Sequence, residues 1–167
     1  MRAQFFEITP CPQGRLATMP RPRGDDWLAD EIESLKVEGV TDLVSLLMRD
    51  EEIELGLALE GDCCASSGIR FHSYPIVDRG LPNDPEFLNW IARLSLALKS
   101  GGFVAVHCRA GIGRSSVVAA ALLHQVGVSG AEALQRISSA RGFPVPDTQE
   151  QRAFILNMDR SPGDRRS

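Results

Sequence analysis

The segment His107-Cys108-Arg109-Ala110-Gly111-Ile112-Gly113-Arg114-Ser115 crowds a thiol, two guanidinium groups, a hydroxyl and two glycines into nine residues. An apolar run, Phe103 to Val106, precedes it, and an Ala/Val/Leu-rich stretch follows. A buried strand therefore runs into a tight turn, and the turn into the N-terminus of a helix. Such a turn is an anion cradle. The backbone N–H groups of Arg109, Ala110, Gly111, Ile112 and Gly113 point inward, the helix dipole adds roughly half a positive charge, and Gly111 and Gly113 allow backbone angles that other residues resist. Cys108 shares that potential, which takes a thiol from ~8.5 to between about 3.5 and 7.5 and makes it the nucleophilic thiolate. The planar fork of Arg114 grips two oxygens of a phosphate at once, as Lys could not. Ser115 can donate its hydroxyl hydrogen to the sulfur. A lone Cys at a strand end is ordinarily a small core residue, and it is the loop around Cys108 that reverses this reading. His107 reads as a strand-end residue whose ring hydrogen-bonds the backbone and fixes the loop.

The elements that must position this set follow from periodicity. Phe5 to Ile8 and Leu16 to Met19 read as an edge hairpin among prolines, and Asp25-Asp26 opens a helix that stops before Gly39. Asp42 to Leu47 is a short buried strand, Asp50 to Gly61 a helix with an acidic first turn, and Cys63 to Gly68 a loop. Ile69 to Pro75 alternates as a strand, and Val77 to Pro82 is a loop. Phe87, Ile91, Leu94 and Leu98 stripe one face of a helix that starts near Asp84-Pro85 and ends at Gly101-Gly102. Phe103 to Val106 is a central strand. Three helices complete the chain, Arg114 to Gln125, Ser129 to Ala140 and Asp147 to Met158. Strands interleaved with helices imply an α/β fold, with a central sheet of four or five mostly parallel strands flanked by helices on both faces. Residues 1–160 form a single domain, and 161–167 are expected to be a frayed tail.

Length and charge narrow the function classes. The chain has 167 residues, 43% of them hydrophobic, a size and composition that support one independent core. Lys+Arg 18 against Asp+Glu 22 leaves a net charge of −4, so no global positive field draws in nucleic acid or an anionic membrane surface. The longest apolar stretch, Val117 to Leu123, is too short to span a bilayer, and no secretory signal is evident; the chain reads as cytoplasmic, with a monomer plausible. Four cysteines, Cys11, Cys63, Cys64 and Cys108, are too few and too irregular for a disulfide scaffold, and three histidines assemble no metal spacing. Trp27 and Trp90 read as core, while His72 and His124 have no partner pattern. Arg79 and Arg109 either contact substrate anions or are solvated charges.

His-Cys-(five residues)-Arg-Ser after a buried strand resembles the signature of the protein tyrosine phosphatase superfamily, of dual-specificity type. Gly39 to Leu47 is similar to a strand near the start of the small kinase-associated and atypical dual-specificity members, and the resemblance runs from Asp26 to Leu156. It implies a protein tyrosine phosphatase-like fold and a metal-free, cofactor-free phosphatase acting through a phosphocysteine on phosphorylated proteins. Phosphotyrosine is the implied substrate, with phosphoserine and phosphothreonine beside it. It also implies a general acid on a loop about thirty residues before the nucleophile. Asp78 lies there, in Pro75-Ile76-Val77-Asp78 followed by Pro82, the family's Pro-Ile-x-Asp-x-x-x-Pro pattern. Asp84 competes but reads as a helix start. Pro146 to Gln151 is similar to the family's Thr-x-x-Gln element, which would make Gln151 the residue that orients the hydrolytic water, with Gln149 as the alternative. The other readings are an inositol or lipid phosphatase, a rhodanese-type sulfurtransferase and a phosphoprotein-binding module. An oxidised Cys108 could be capped by Cys63 or Cys64.

Overall fold

The computed structural model describes residues 3–160. Its sheet is ordered β1-β2-β5-β3-β4, from Phe6–Glu7, Arg15–Met19, Phe103–His107, Asp42–Ser45 and Arg70–Ser73 respectively. β1 pairs antiparallel with β2, the expected edge hairpin, and every other pairing is parallel. The central position of β5 follows from its composition, since all five of its residues are buried and an apolar run suits a strand covered on both faces. Strand alternation sends Val104, Val106 and then Cys108 to one core, with Phe103 and Ala105 in the other.

Among the described residues seven α-helices cover the sheet: α1 (Leu28–Val37), α2 (Arg49–Glu54), α3 (Glu60–Ser67), α4 (Phe87–Lys99), α5 (Arg114–Gln125), α6 (Gly130–Arg141) and α7 (Gln149–Asn157). The core on the Val104 face draws on α4, α5, α6 and α7, and the core on the Phe103 face on α1 and α3. α5 is buried along its first ten residues, which is why it reads as Ala/Val/Leu-rich rather than amphipathic. α6 and α7 start at side-chain caps, Ser129 Oγ accepting from the Glu132 N–H and Thr148 Oγ1 from the Gln151 N–H. Among the described residues no helix is long and apolar enough to cross a membrane.

Four expectations are corrected. The single helix over Asp50 to Gly61 and the loop over Cys63 to Gly68 are instead two short helices, because the chain turns at Leu55-Gly56, with Gly56 left-handed at φ +70° and Leu57 buried beyond it. α3 has no apolar stripe to announce it, since Cys64 is its one buried hydrophobic residue. Trp27 is 53% exposed, its ring covered by the Arg23 guanidinium, whereas Trp90 is half-buried and stacked on Tyr74. His72 does have a partner: Asp42, buried in β3, accepts from Thr41 and from two nitrogens of Arg70, and lies 2.8 Å from His72 Nε2, tying β3 to the edge strand β4. The 161–167 tail lies outside the described residues.

Candidate active site

β5 ends at His107, α5 begins at Arg114, and the six residues between form the strand-to-helix loop the spacing predicts. Its carbonyls are turned outward and taken up one by one. Cys108 O lies 3.2 Å from His107 Nδ1, Arg109 O accepts from the Arg21 N–H, and Gly111 O and Ala110 O accept from Arg141 at 3.3 and 3.5 Å. Ile112 O accepts from Ser116 Oγ at 2.5 Å. With the carbonyl edge held from outside, the amide edge is left for the site, and the N–H groups of Gly111 and Ser115 serve the Cys108 sulfur.

The two glycines act differently. Gly111 is left-handed at φ +72°, and a Cβ there would meet the Met19 carbonyl carbon at 2.7 Å. Gly113 has an ordinary backbone, contrary to the expectation for it; its requirement is space, because a Cβ would stand 2.8 Å from Gln151 Oε1 and 2.9 Å from Asp147 Oδ1.

Cys108 is 3% exposed, with its Sγ 3.4 Å from Ser115 Oγ. Burial pushes the thiol up. Hydrogen bonds from the Ser115 hydroxyl and amide, the Arg114 charge and the Gly111 amide outweigh it, and the pKa lies below the ordinary thiol value. Arg114 is buried as well, and each of its acceptors is identifiable. Nη1 donates to Glu51 Oε2 and to the Ile76 carbonyl, both at 2.8 Å, while Nη2 donates to Glu51 Oε1 at 3.0 Å and Asp78 Oδ1 at 3.1 Å. Burial of Glu51 opposes its ionisation, yet the Arg114 bonds and the Met48 N–H keep its pKa below the usual carboxylate value.

Asp78 reaches this guanidinium from the loop after β4, and its side chain remains 60% exposed. The loop turns at Arg79, left-handed at φ 62°, where the Gly80 N–H returns to the Val77 carbonyl. Arg79 Nη1 then crosses the cleft to Asp147 Oδ2 at 3.1 Å. Gln151 is fully buried in the first turn of α7; its Nε2 donates to the Gly80 carbonyl, and its Oε1 has no hydrogen-bond partner among the described residues. Gln149 is exposed, so of the two glutamines Gln151 lies against the cradle. Asp84 is occupied outside the cleft, where its Oδ1 accepts the Glu86 N–H ahead of α4. The cleft over the sulfur has a volume of about 170 Å³ and is lined by Asp78, Arg79, Ile112, Asp147 and the loop residues.

Other expected partners are not brought in. Arg109 directs its side chain to Glu54 and Glu51 on α2, and its carbonyl accepts from the Arg21 N–H. Cys64 lies in the core on the far face of the sheet from Cys108, with burial pushing its thiol up to about 12. Two carboxylates escaped the sequence reading. Glu51 holds Arg114 in a bidentate grip, and Glu60 lies 2.5 Å from His107 Nε2. Their partners stand 63 and 47 residues away, a separation that no local pattern spans.

A family model described as Cyclin-dependent kinase inhibitor 3 (CDKN3) matches residues 4–134, most of this frame. The chain belongs to that family. The rat and human cyclin-dependent kinase inhibitor 3 proteins are each 28% identical to it over 127 residues, an alignment covering 75% of the chain and 60% of the relative's length. A crystal structure of kinase associated phosphatase with serine at its catalytic cysteine superimposes with a TM-score of 0.83 at 23% identity, covering 94% of both chains. Tk-PTP in its active form gives 0.72 at 24% identity, covering 92% of this chain and 96% of that one. The fold of this family member is thus that of the protein tyrosine phosphatases, as the resemblance implies.

Proposed function

We propose that the protein hydrolyses phosphomonoesters on proteins, phosphotyrosine first and phosphoserine or phosphothreonine beside it, through a phosphocysteine. The observation that carries this reading is the buried Cys108 thiol, with its lowered pKa, inside a loop whose arginine also holds Asp78. The relatives' names, a kinase inhibitor and a kinase associated phosphatase, support a phosphoprotein substrate.

The phosphate enters the amide edge of the loop and takes oxygen-binding positions on Arg114. Glu51 and the Ile76 carbonyl are buried partners of that guanidinium, whereas Asp78 is exposed, so Asp78 is the one displaced from Nη2. The Cys108 thiolate attacks phosphorus in line: the S–P bond forms, the bond to the leaving oxygen breaks, and protonated Asp78 gives that oxygen its proton. A water then attacks phosphorus, its proton passes to Asp78, and the S–P bond breaks with Ser115 stabilising the departing thiolate. Gln151 Oε1, buried beside Gly113 and without a hydrogen-bond partner among the described residues, accepts a hydrogen bond from the water's other O–H. Neither step calls on a metal or cofactor. The same reading takes the protein to be a cytoplasmic monomer whose described cysteines are free thiols.

The test is a rate comparison on phosphotyrosine, phosphoserine, phosphothreonine and inositol phosphate esters, with Cys108→Ser as the blank. Turnover of the phosphoamino acid esters is expected. Turnover of inositol phosphates alone, or activity surviving in Cys108→Ser, contradicts the reading.

A further inference from the structure

The sheet separates Cys108 from a second buried charged group. Alternation along β5 turns Cys108 toward the α4–α5 core and His107 toward the α1–α3 side. There the His107 ring meets Glu60, the first residue of α3, with Nε2 2.5 Å from Oε1 and both side chains at most 1% exposed. The other ring nitrogen, Nδ1, lies 3.2 Å from the Cys108 carbonyl oxygen. Both nitrogens therefore face acceptor oxygens. A neutral imidazole carries one N–H and satisfies one of them; the imidazolium satisfies both.

The energetics agree with that geometry. Burial pushes the His107 pKa down, but the Glu60 charge and hydrogen bond, the Cys108 carbonyl and the Cys108 thiolate outweigh it, and the pKa is raised. Coupling between two charges is reciprocal, so what the thiolate does for the imidazolium the imidazolium returns to the thiolate. Glu60 Oε2 has no hydrogen-bond partner among the described residues, so the ring is the compensation the structure provides for a carboxylate sealed into an apolar layer.

We infer that Glu60 is a positioning residue acting through His107: it holds the ring as an imidazolium, which ties back the Cys108 carbonyl and favours the thiolate across the sheet. The inference rests on Cys108 being the nucleophile. Among the described residues, two thiols on α3 also feel the Glu60 charge. Cys64 is pushed up to about 12 by burial with the Glu60 charge adding to it, and Cys63 is raised by burial and by the Asp62 and Glu60 charges. Neither ionises near neutrality, which leaves Cys108, with Arg114 beside it, as the group that responds.

The test reads the ring and the sulfur without substrate. In the wild-type protein labelled with 15N-histidine, long-range 1H–15N spectra should show both His107 nitrogens protonated well above the ordinary histidine value of about 6.5; His72→Gln and His124→Gln assign the remaining signals. Glu60→Gln keeps an acceptor oxygen and removes the charge. It should raise the midpoint of Cys108 alkylation by iodoacetamide by about one pH unit, and lower kcat/KM about tenfold on the acid side while the two proteins converge at alkaline pH. Glu60→Asp, which keeps the charge, should recover most of the midpoint. A neutral wild-type His107 ring, or a folded Glu60→Gln protein with an unmoved midpoint, overturns the inference. If Glu60→Gln does not fold, the wild-type ring spectrum decides. Failure of the phosphatase reading shows separately, as no turnover in a wild-type protein whose His107 is still an imidazolium.

Discussion

Two loops meet over Cys108, and they are built on opposite plans. The cradle from Cys108 to Gly113 is fixed from several sides, its carbonyls held by His107 on β5, by the Arg21 backbone, by Arg141 at the end of α6 and by Ser116 on α5. The loop from Val77 to Pro82 is tied across the cleft by Asp78 to Arg114, by Arg79 to Asp147 and by Gln151 to the Gly80 carbonyl, and the side chains of Asp78 and Arg79 are more than half exposed. On the proposed function, the difference corresponds to two tasks. Binding a phosphate calls for donors already in place, so that no reorganisation is needed as charge develops. Donating a proton calls for a residue that gives up one partner for another within each turnover, and an exposed ion pair exchanges at small cost.

The largest effect should come from breaking the fixed side. Arg114→Lys keeps the charge but loses the fork that meets phosphate and Glu51, and kcat/KM should fall about 10³-fold, read with a soluble phosphotyrosine analogue. A loss below about tenfold would mean that the guanidinium geometry is not used. Asp78→Asn attacks the exchanging side. Rates should fall about 10²-fold for esters with poor leaving groups and little for good ones, while inorganic phosphate, no longer competing with a carboxylate for Arg114, still binds with affinity retained or tightened. Equal losses on both ester classes would remove Asp78 from the acid role.

A smaller effect is expected where the two loops share a partner. Glu51→Gln leaves the buried Arg114 with a neutral grip, and kcat/KM should fall between about 10- and 100-fold. Arg79→Ala breaks a pair that is largely exposed, and about fivefold or less should be lost. A larger loss from Arg79→Ala than from Glu51→Gln would invert the comparison. In pH profiles, the acid limb reports protonation of a thiolate whose pKa is depressed, so activity should persist below the pH at which an ordinary thiol ionises and be lost as pH falls through the Cys108 value.

What the sequence made legible follows the same division. The cradle is local: strand, glycines, cysteine, arginine and serine lie within one stretch, so spacing alone placed them, and β5 and α5 were legible because burial forces apolar composition on both. Asp78 and Gln151 were reachable only through the family pattern. Glu51 and Glu60 were not legible, because a carboxylate on a short helix reads as a solvated charge until the fold brings its partner to it. α3 failed for a related reason: its one buried hydrophobic residue is Cys64, and its first residue is spent on His107, so it shows no helical stripe.

The central claim is that phosphorus passes through the Cys108 sulfur. Wild-type protein mixed with a fast-leaving phosphate ester and quenched in acid within one turnover should yield, on proteolysis and mass spectrometry, a single added phosphoryl group on the peptide containing Cys108, and none in Cys108→Ser. A phosphoryl group on any other residue, or full turnover by Cys108→Ser, would contradict the account.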